Sequence, residues 1–169
     1  MLSHAHSELA GAEYVVFVDS SRRYVDCSES VSILLEYERR ELLQKTIDNI
    51  SYHGDEVNRL FQQYLDEGKL SGEYVLMAKD RTPVPIRYRA FAFSDGCLAA
   101  IWEPIRDWRQ AYMAALVEVD PDKLKEKIEI AFAAIRAHGI QSVASESAKE
   151  RQSIQDAKSV LQVLMKHSK

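Results

Sequence analysis

Only two cysteines, Cys27 and Cys97, occur in the 169 residues, seventy positions apart and without a C-x-x-C pair. A disulfide framework needs more cysteines in a shorter chain, so both thiols read as reduced and buried within apolar, strand-like stretches. Glycine (six) and proline (four) are also scarce. The glycines are too scattered to cradle a phosphate, and G-x-S-x-G, H-E-x-x-H, G-x-x-x-x-G-K-[ST] and G-x-G-x-x-G are all missing. No window approaches eighteen apolar residues, which excludes a conventional membrane span. The opening MLSHAHSELAGAEY has neither a basic n-region nor an apolar h-region, so a reducing cytoplasm is the expected location. A basic excess is lacking too: Lys plus Arg is 22 against 26 for Asp plus Glu, a net charge of -4. Nucleic-acid binding is therefore not expected.

What is present is ordinary globular chemistry, 46% hydrophobic and 28% charged. The charge is uneven. Residues 1–106 carry 17 acids and 12 bases (net -5), while 107–169 carry 9 acids and 10 bases (net +1). The length suits one domain with an extension and leaves no room for a complete transmitter kinase.

Ser7 to Gly11 reads as a short lead-in closed by glycine. Tyr14-Val-Val-Phe-Val18 and Arg23-Tyr-Val-Asp-Cys27 flank the turn Asp19-Ser-Ser-Arg22 and predict a β-hairpin. The period then changes. Val31, Leu34, Leu35, Tyr37, Leu42 and Leu43 suit short helices, and Val57, Leu60, Phe61 and Leu65 predict a helix from Asp55, its cap, to Glu67-Gly68. Strand character returns at Glu73 to Lys79. Val84, Ile86, Tyr88, Ala90 and Ala92 then share one face, opposite Arg87 and Arg89. Pro85 belongs near a strand start or edge. Ser94-Asp95-Gly96 predicts a second hairpin into Cys97 to Trp102. Five antiparallel strands with one face covered by helices make an α+β domain.

The remainder reads as helical. Asp120-Pro121 predicts a helix start, His138-Gly139 its end, with His138 meeting open carbonyls there; Ser147 and Glu150 can form a capping box. Three stripes result: Trp108, Tyr112 and Leu116; Leu124, Ile128 and Phe132; Ile154, Leu161 and Leu164. Each needs a partner surface, whether another stripe, the sheet or a second copy of the chain, and these nine residues are the interface candidates. Trp102 and Trp108 straddle the end of the strand region, where they are expected to pack the first appended helix onto the sheet.

No constellation of catalytic residues emerges. His4 and His6 are spaced i,i+2 near the start and do not converge as metal ligands, so no metal site is expected. Glu36, Glu38 and Glu41 read as a solvated helix face. Arg87 and Arg89, with Arg81 nearby, read as solvent-facing salt bridges. His53, in Ile50-Ser-Tyr-His-Gly-Asp55, is the least implausible haem ligand, although the same residues suit a helix-start turn.

The order of these pieces resembles the PAS sensor family. Tyr14 to Asp19, then Arg23 to Ser28, resembles its opening hairpin and helix-capping polar residue, with Ser28 where asparagine is frequent. Tyr37-Glu-Arg-Arg-Glu-Leu-Leu43 is similar to its gly-tyr-x-x-glu-glu-leu helix start, with Glu36 for the glycine and Gln44 where another glycine often follows. His53-Gly54-Asp55 resembles its histidine-proline-aspartate turn. Lys79-Asp80-Arg81-Thr82 resembles its lys-asp-gly hairpin, with Arg81 for glycine. The resemblance covers residues 12–105, after a lead-in of 1–11 and before a helical extension of 106–169.

It implies a five-stranded sheet and helical flank around a small cavity. PAS domains bind haem, flavin, small metabolites or nothing, and often dimerise. The chain lacks the asparagine-cysteine-arginine-phenylalanine core of the flavin photosensors, which disfavours that chemistry, and His53 alone does not imply haem. Apolarity and periodicity put Val16, Val18, Ile33, Leu34, Leu60, Met77, Tyr88, Ala90 and Leu98 forward as cavity candidates. The expected function is a non-enzymatic bacterial sensor or protein-interaction module that relays a ligand or partner signal through its C-terminal helices. A homodimer or a separate signalling protein is the expected partner. The alternatives are a constitutive docking protein without ligand, a haem sensor using His53, and a phosphotransfer participant, for which His167 is the only histidine in the last helix.

Overall fold

The computed structural model describes residues 9–93, 96–142 and 147–167. Its strands β1 (Tyr14–Val18), β2 (Tyr24–Cys27), β3 (Lys69–Met77), β4 (Pro83–Ala92) and β5 (Leu98–Pro104) form one antiparallel sheet in the order β2-β1-β5-β4-β3. Four helices connect β2 to β3: α1 (Glu29–Leu35), α2 (Arg39–Leu42), α3 (Ile47–Ile50) and α4 (Gly54–Glu67). Three more follow the sheet: α5 (Trp108–Leu116), α6 (Pro121–Ser142) and α7 (Ala148–His167). The chain divides into two compact units at Pro104, with Pro83–Pro85 counted in the second.

In the first unit, Asp19 makes the hairpin. Its Oδ1 accepts hydrogen bonds from the Ser21 amide at 2.9 Å, the Ser21 hydroxyl at 2.7 Å and the Arg23 amide at 3.0 Å. The strand register then places side chains of matched parity together. Val16 pairs with Ala100, which pairs with Ala90. Tyr14 pairs with Trp102, and Trp102 with Tyr88. A row of small side chains thus crosses the middle of the sheet beside a row of aromatic ones.

Several local expectations change. Ser28 occupies the N-cap of α1 without a side-chain hydrogen bond to it; its hydroxyl accepts from the Val15 amide at 3.1 Å and donates to the Glu13 carbonyl at 2.8 Å, tying the helix start to β1. α4 begins at Gly54 with His53 as N-cap, so Asp55 lies in the first turn and is not the cap. Glu38 and Glu41 do more than face solvent: they form the capping box of α2. Glu36 and Arg81, standing where glycine is usual, hold left-handed backbone at φ 58° and 69°. The expected salt bridge on β4 is present, Arg87 to Glu73 at 3.2 Å. Both thiols are free; Cys27 is buried but Cys97 is only half-buried. His4, His6 and the Ser94-Asp95 turn lie outside the described residues.

In the second unit, Asp107 caps α5 by accepting from the Arg109 and Gln110 amides, and Asp120 caps α6 through the Asp122 amide at 3.1 Å. Ser147 caps α7 through the Glu150 amide at 3.2 Å. The Glu150 carboxylate turns instead to Arg109 at 2.9 Å and lies 3.5 Å from His138 Nε2. The predicted break at His138-Gly139 does not occur. α6 continues to Ser142, and His138 packs its ring 6.4 Å from that of Trp108.

α5 packs on α6, and both pack on α7. Of the interface candidates, Trp108, Ile128, Ile154 and Leu161 are buried within the chain and therefore unavailable to a partner. Tyr112, Leu124, Phe132 and Leu164 are half-buried, and Leu116 is exposed. Among the described residues no helix is long and apolar enough to cross a membrane.

Candidate ligand-binding site

The small-residue row leaves space. Above Val16, Ala90 and Ala100 lies a cavity of about 100 Å³, lined by the inner face of all five strands and by α3 and α4. α4 presents Val57, Leu60, Phe61 and Tyr64 to it at helical spacing, and α3 contributes Ile47. None of the lining residues is charged, and none is a histidine, cysteine or methionine.

Five lining residues have polar side-chain atoms: Tyr24, Tyr64, Tyr74, Tyr88 and Trp102. The Tyr74 hydroxyl is committed, donating to the His53 carbonyl at 2.6 Å. Tyr64 tilts against Phe61 with ring centroids 5.9 Å apart. Tyr88 lies over Gly72, where a Cβ would stand 3.3 Å from its hydroxyl oxygen. Tyr24 differs. It is 2% exposed, its ring meets Trp102 edge-on at 6.4 Å, and its hydroxyl is buried with no hydrogen-bond partner among the described residues. Such an unmet group costs about 1–3 kcal/mol. Burial pushes the pKa values of Tyr24, Tyr64 and Tyr74 above the ordinary tyrosine value, keeping the phenols protonated.

Arg22 fastens the rim. From a left-handed backbone at φ 66° it reaches Asp48 of α3 at 2.9 Å and Asn58 of α4 at 2.9 Å, and lies 6.0 Å from the centre of the Phe61 ring. One side chain therefore holds two helices against the hairpin that carries Tyr24.

Six of the nine cavity candidates line this space: Val16, Val18, Leu60, Tyr88, Ala90 and Leu98. Ile33, Leu34 and Met77 do not. Ile33 is 71% exposed and borders a shallow outer groove with Cys27, Tyr37 and Arg39. Leu34 is half-buried on α1, and Met77 has the opposite parity to the lining residues Tyr74 and Leu76. Tyr24, Phe61 and Trp102 also line it, and each had a signal in the sequence: Tyr24 lies across the predicted hairpin from Val18, Trp102 shares the strand parity of Leu98, and Phe61 shares the helical stripe of Val57 and Leu60. His53 faces solvent and does not line the cavity. Among the described residues no group of three or more His, Cys, Asp or Glu is placed to hold a metal ion.

A PAS domain model matches residues 12–103, more than half of the chain. The chain belongs to the PAS domain family. PAS domains are typically sensory or signalling modules rather than catalysts. Similar solved structures include a PAS domain from Desulfitobacterium hafniense, 20% identical, covering 56% of this chain and 93% of that one, with a TM-score of 0.51. The Drosophila melanogaster Cycle PAS-B with bound ethylene glycol is 9% identical, covers 54% and 99%, and has a TM-score of 0.51. The PAS domain of a LuxR-family transcriptional regulator from Burkholderia thailandensis, in complex with ethanol, is 13% identical, covers 62% and 97%, and has a TM-score of 0.50. No match was found among curated proteins.

Haem and flavin are the large cofactors associated with PAS folds, and the residues here do not fit them. A space of about 100 Å³ is several times smaller than an ordinary cofactor pocket of roughly 300–1,000 Å³. No histidine, cysteine or methionine lines it.

Proposed function

We propose that this chain is a non-enzymatic sensory module that takes a small molecule into the cavity above the sheet and relays its occupancy through the C-terminal helices to another protein. The carrying observation is the cavity itself, apolar and bounded by every strand of the sheet. The relatives crystallised with ethanol and ethylene glycol support small, uncharged occupants for this chain. β5 is the natural route outward. Leu98, Ala100 and Trp102 line the cavity, and only Ile105, Arg106 and Asp107 separate the strand end at Pro104 from α5.

A ligand that fits one sheet arrangement better than another shifts the balance between them by that difference in affinity. The output surface includes Met113, Leu116, Val117 and Val119, exposed apolar residues at the end of α5 and just beyond it. Their occupant is a second copy of the chain or a separate signalling protein, in the cytoplasm.

Native mass spectrometry of freshly purified protein, followed by thermal unfolding with a panel of small alcohols and ketones, tests this reading. Retained or added small molecules should raise the unfolding temperature through mass action. Ala100→Leu, which fills the cavity, should abolish the rise. A chain that keeps nothing and gains no stability from any member of the panel would leave constitutive docking as the better account.

A further inference from the structure

We propose that the ligand this cavity selects is a hydrocarbon: a compact molecule of roughly four or five carbons that needs no hydrogen bond, such as a short branched alkene or alkane. The inference deepens the sensory reading above and rests on it. Alcohols and ketones of the same shape enter the space but bind it more weakly. Size comes first. An apolar cavity of about 150 Å³ accommodates the six carbons of benzene and stays dry, so about 100 Å³ takes correspondingly fewer.

The walls decide the chemistry. Almost all of the surface they present to the cavity is hydrocarbon. Val16, Val18 and Leu98 come from the sheet, Ile47 from α3, and Val57 and Leu60 from α4. The polar side-chain atoms nearby are withdrawn or engaged. Tyr24 Oη is buried out of contact, and the Tyr74 hydroxyl donates to the His53 carbonyl at 2.6 Å. The Tyr88 hydroxyl lies over Gly72 of the edge strand β3. Tyr64 and Trp102 meet Phe61 and Tyr24 through their rings.

A hydroxyl or carbonyl carried inside therefore gives up its water partners and finds none in exchange, whereas a methyl group gains by the same move. An ion fares worse, because no lining residue is charged. Water competes weakly, since a buried water needs two to four polar partners. Size also limits affinity. The gain per non-hydrogen atom has a ceiling, so an occupant of about five carbons binds no more tightly than about micromolar. The signal is accordingly a hydrocarbon present at about micromolar levels or above.

The test is a methyl-labelled NMR titration of the full chain with two isosteric pairs, 2-methylbut-1-ene against butan-2-one and propane against ethanol. Intermolecular NOEs to the methyls of Val16, Val18 and Leu98 place each probe in the cavity. In both pairs the hydrocarbon should bind at least about fivefold more tightly, the factor by which an unpaired polar group is disfavoured inside a protein. A smaller or reversed preference in either pair would reveal a polar partner within the cavity; the hydrocarbon assignment is then overturned while the cavity reading stands. If no probe contacts those methyls, the sensory reading falls, and the assignment with it.

Discussion

Glu36 and Arg81 carry side chains where the backbone is left-handed, at φ 58° and 69°. A Cβ in that region meets the following carbonyl, a strain of about 1 kcal/mol that glycine avoids at the expense of greater freedom in the unfolded chain. Arg81→Gly and Glu36→Gly should each therefore stabilise the fold slightly, by about 0.5 kcal/mol, seen as a higher urea midpoint at unchanged slope. A loss of stability would show that these side chains make contacts worth more than the strain. The turns themselves were legible despite the missing glycines, because Asp80-Arg81-Thr82 keeps the aspartate whose carboxylate accepts the Thr82 amide at 2.8 Å. Met77 was not legible. Tyr74, Val75 and Leu76 are all buried, so the run has no polar alternation from which to read which parity faces the cavity. The unpartnered hydroxyl of Tyr24 was hidden for a different reason, since it is a property of surroundings that only the fold assembles.

At the level of single elements, two glycines show how far local signals reach. Gly68 ends α4 in left-handed geometry at φ 69°, its amide bonding the Tyr64 carbonyl at 2.8 Å, as its place after Glu67 predicts. Gly139 sits within α6. The difference lies in neighbours: Ile128, Ala131, Ala134 and Ile135 are buried along α6, and that packing outweighs the weak helix preference of one glycine. A Cβ at Gly139 would meet nothing within 4 Å. Gly139→Ala should therefore stabilise the helical unit by about 1 kcal/mol, raising its unfolding temperature; no change would mean that the helix is frayed there in solution. The caps at Asp120 and Ser147 were legible because capping depends on a few consecutive residues. The stripes were legible as stripes, yet their partners were not, because Ile128 and Leu161 would have the same spacing whether buried within the chain or against a second copy.

The molecule as a whole should have a stability plateau bounded on both sides by titration. Hydrogen bonds from Ser21, Lys79 and Thr82 respectively hold the Asp19, Glu41 and Asp80 carboxyls below their ordinary values. Their contributions are complete above the usual carboxylate range and are lost as pH falls through the depressed folded values. Buried Tyr24 and Tyr74, and half-buried Tyr64, titrate above the usual tyrosine value, so the unfolded chain gains the advantage as pH rises beyond about 10. Urea midpoints measured from pH 2 to 11 should be level in the middle and decline at both ends. An alkaline limb that starts well below pH 9 would contradict the burial of these phenols.

The cavity carries a consequence under compression. The apolar space above Val16, Ala90 and Ala100 is lost when the chain unfolds, so unfolding reduces the volume of the system, and hydrostatic pressure pushes in that direction. About 100 Å³ per molecule corresponds to roughly 60 mL/mol, within the range by which whole proteins contract on unfolding. An occupant takes that volume away. The empty chain is then the more pressure-labile state and the filled one the more pressure-resistant, so the space that admits a signal also sets how far the resting fold can yield.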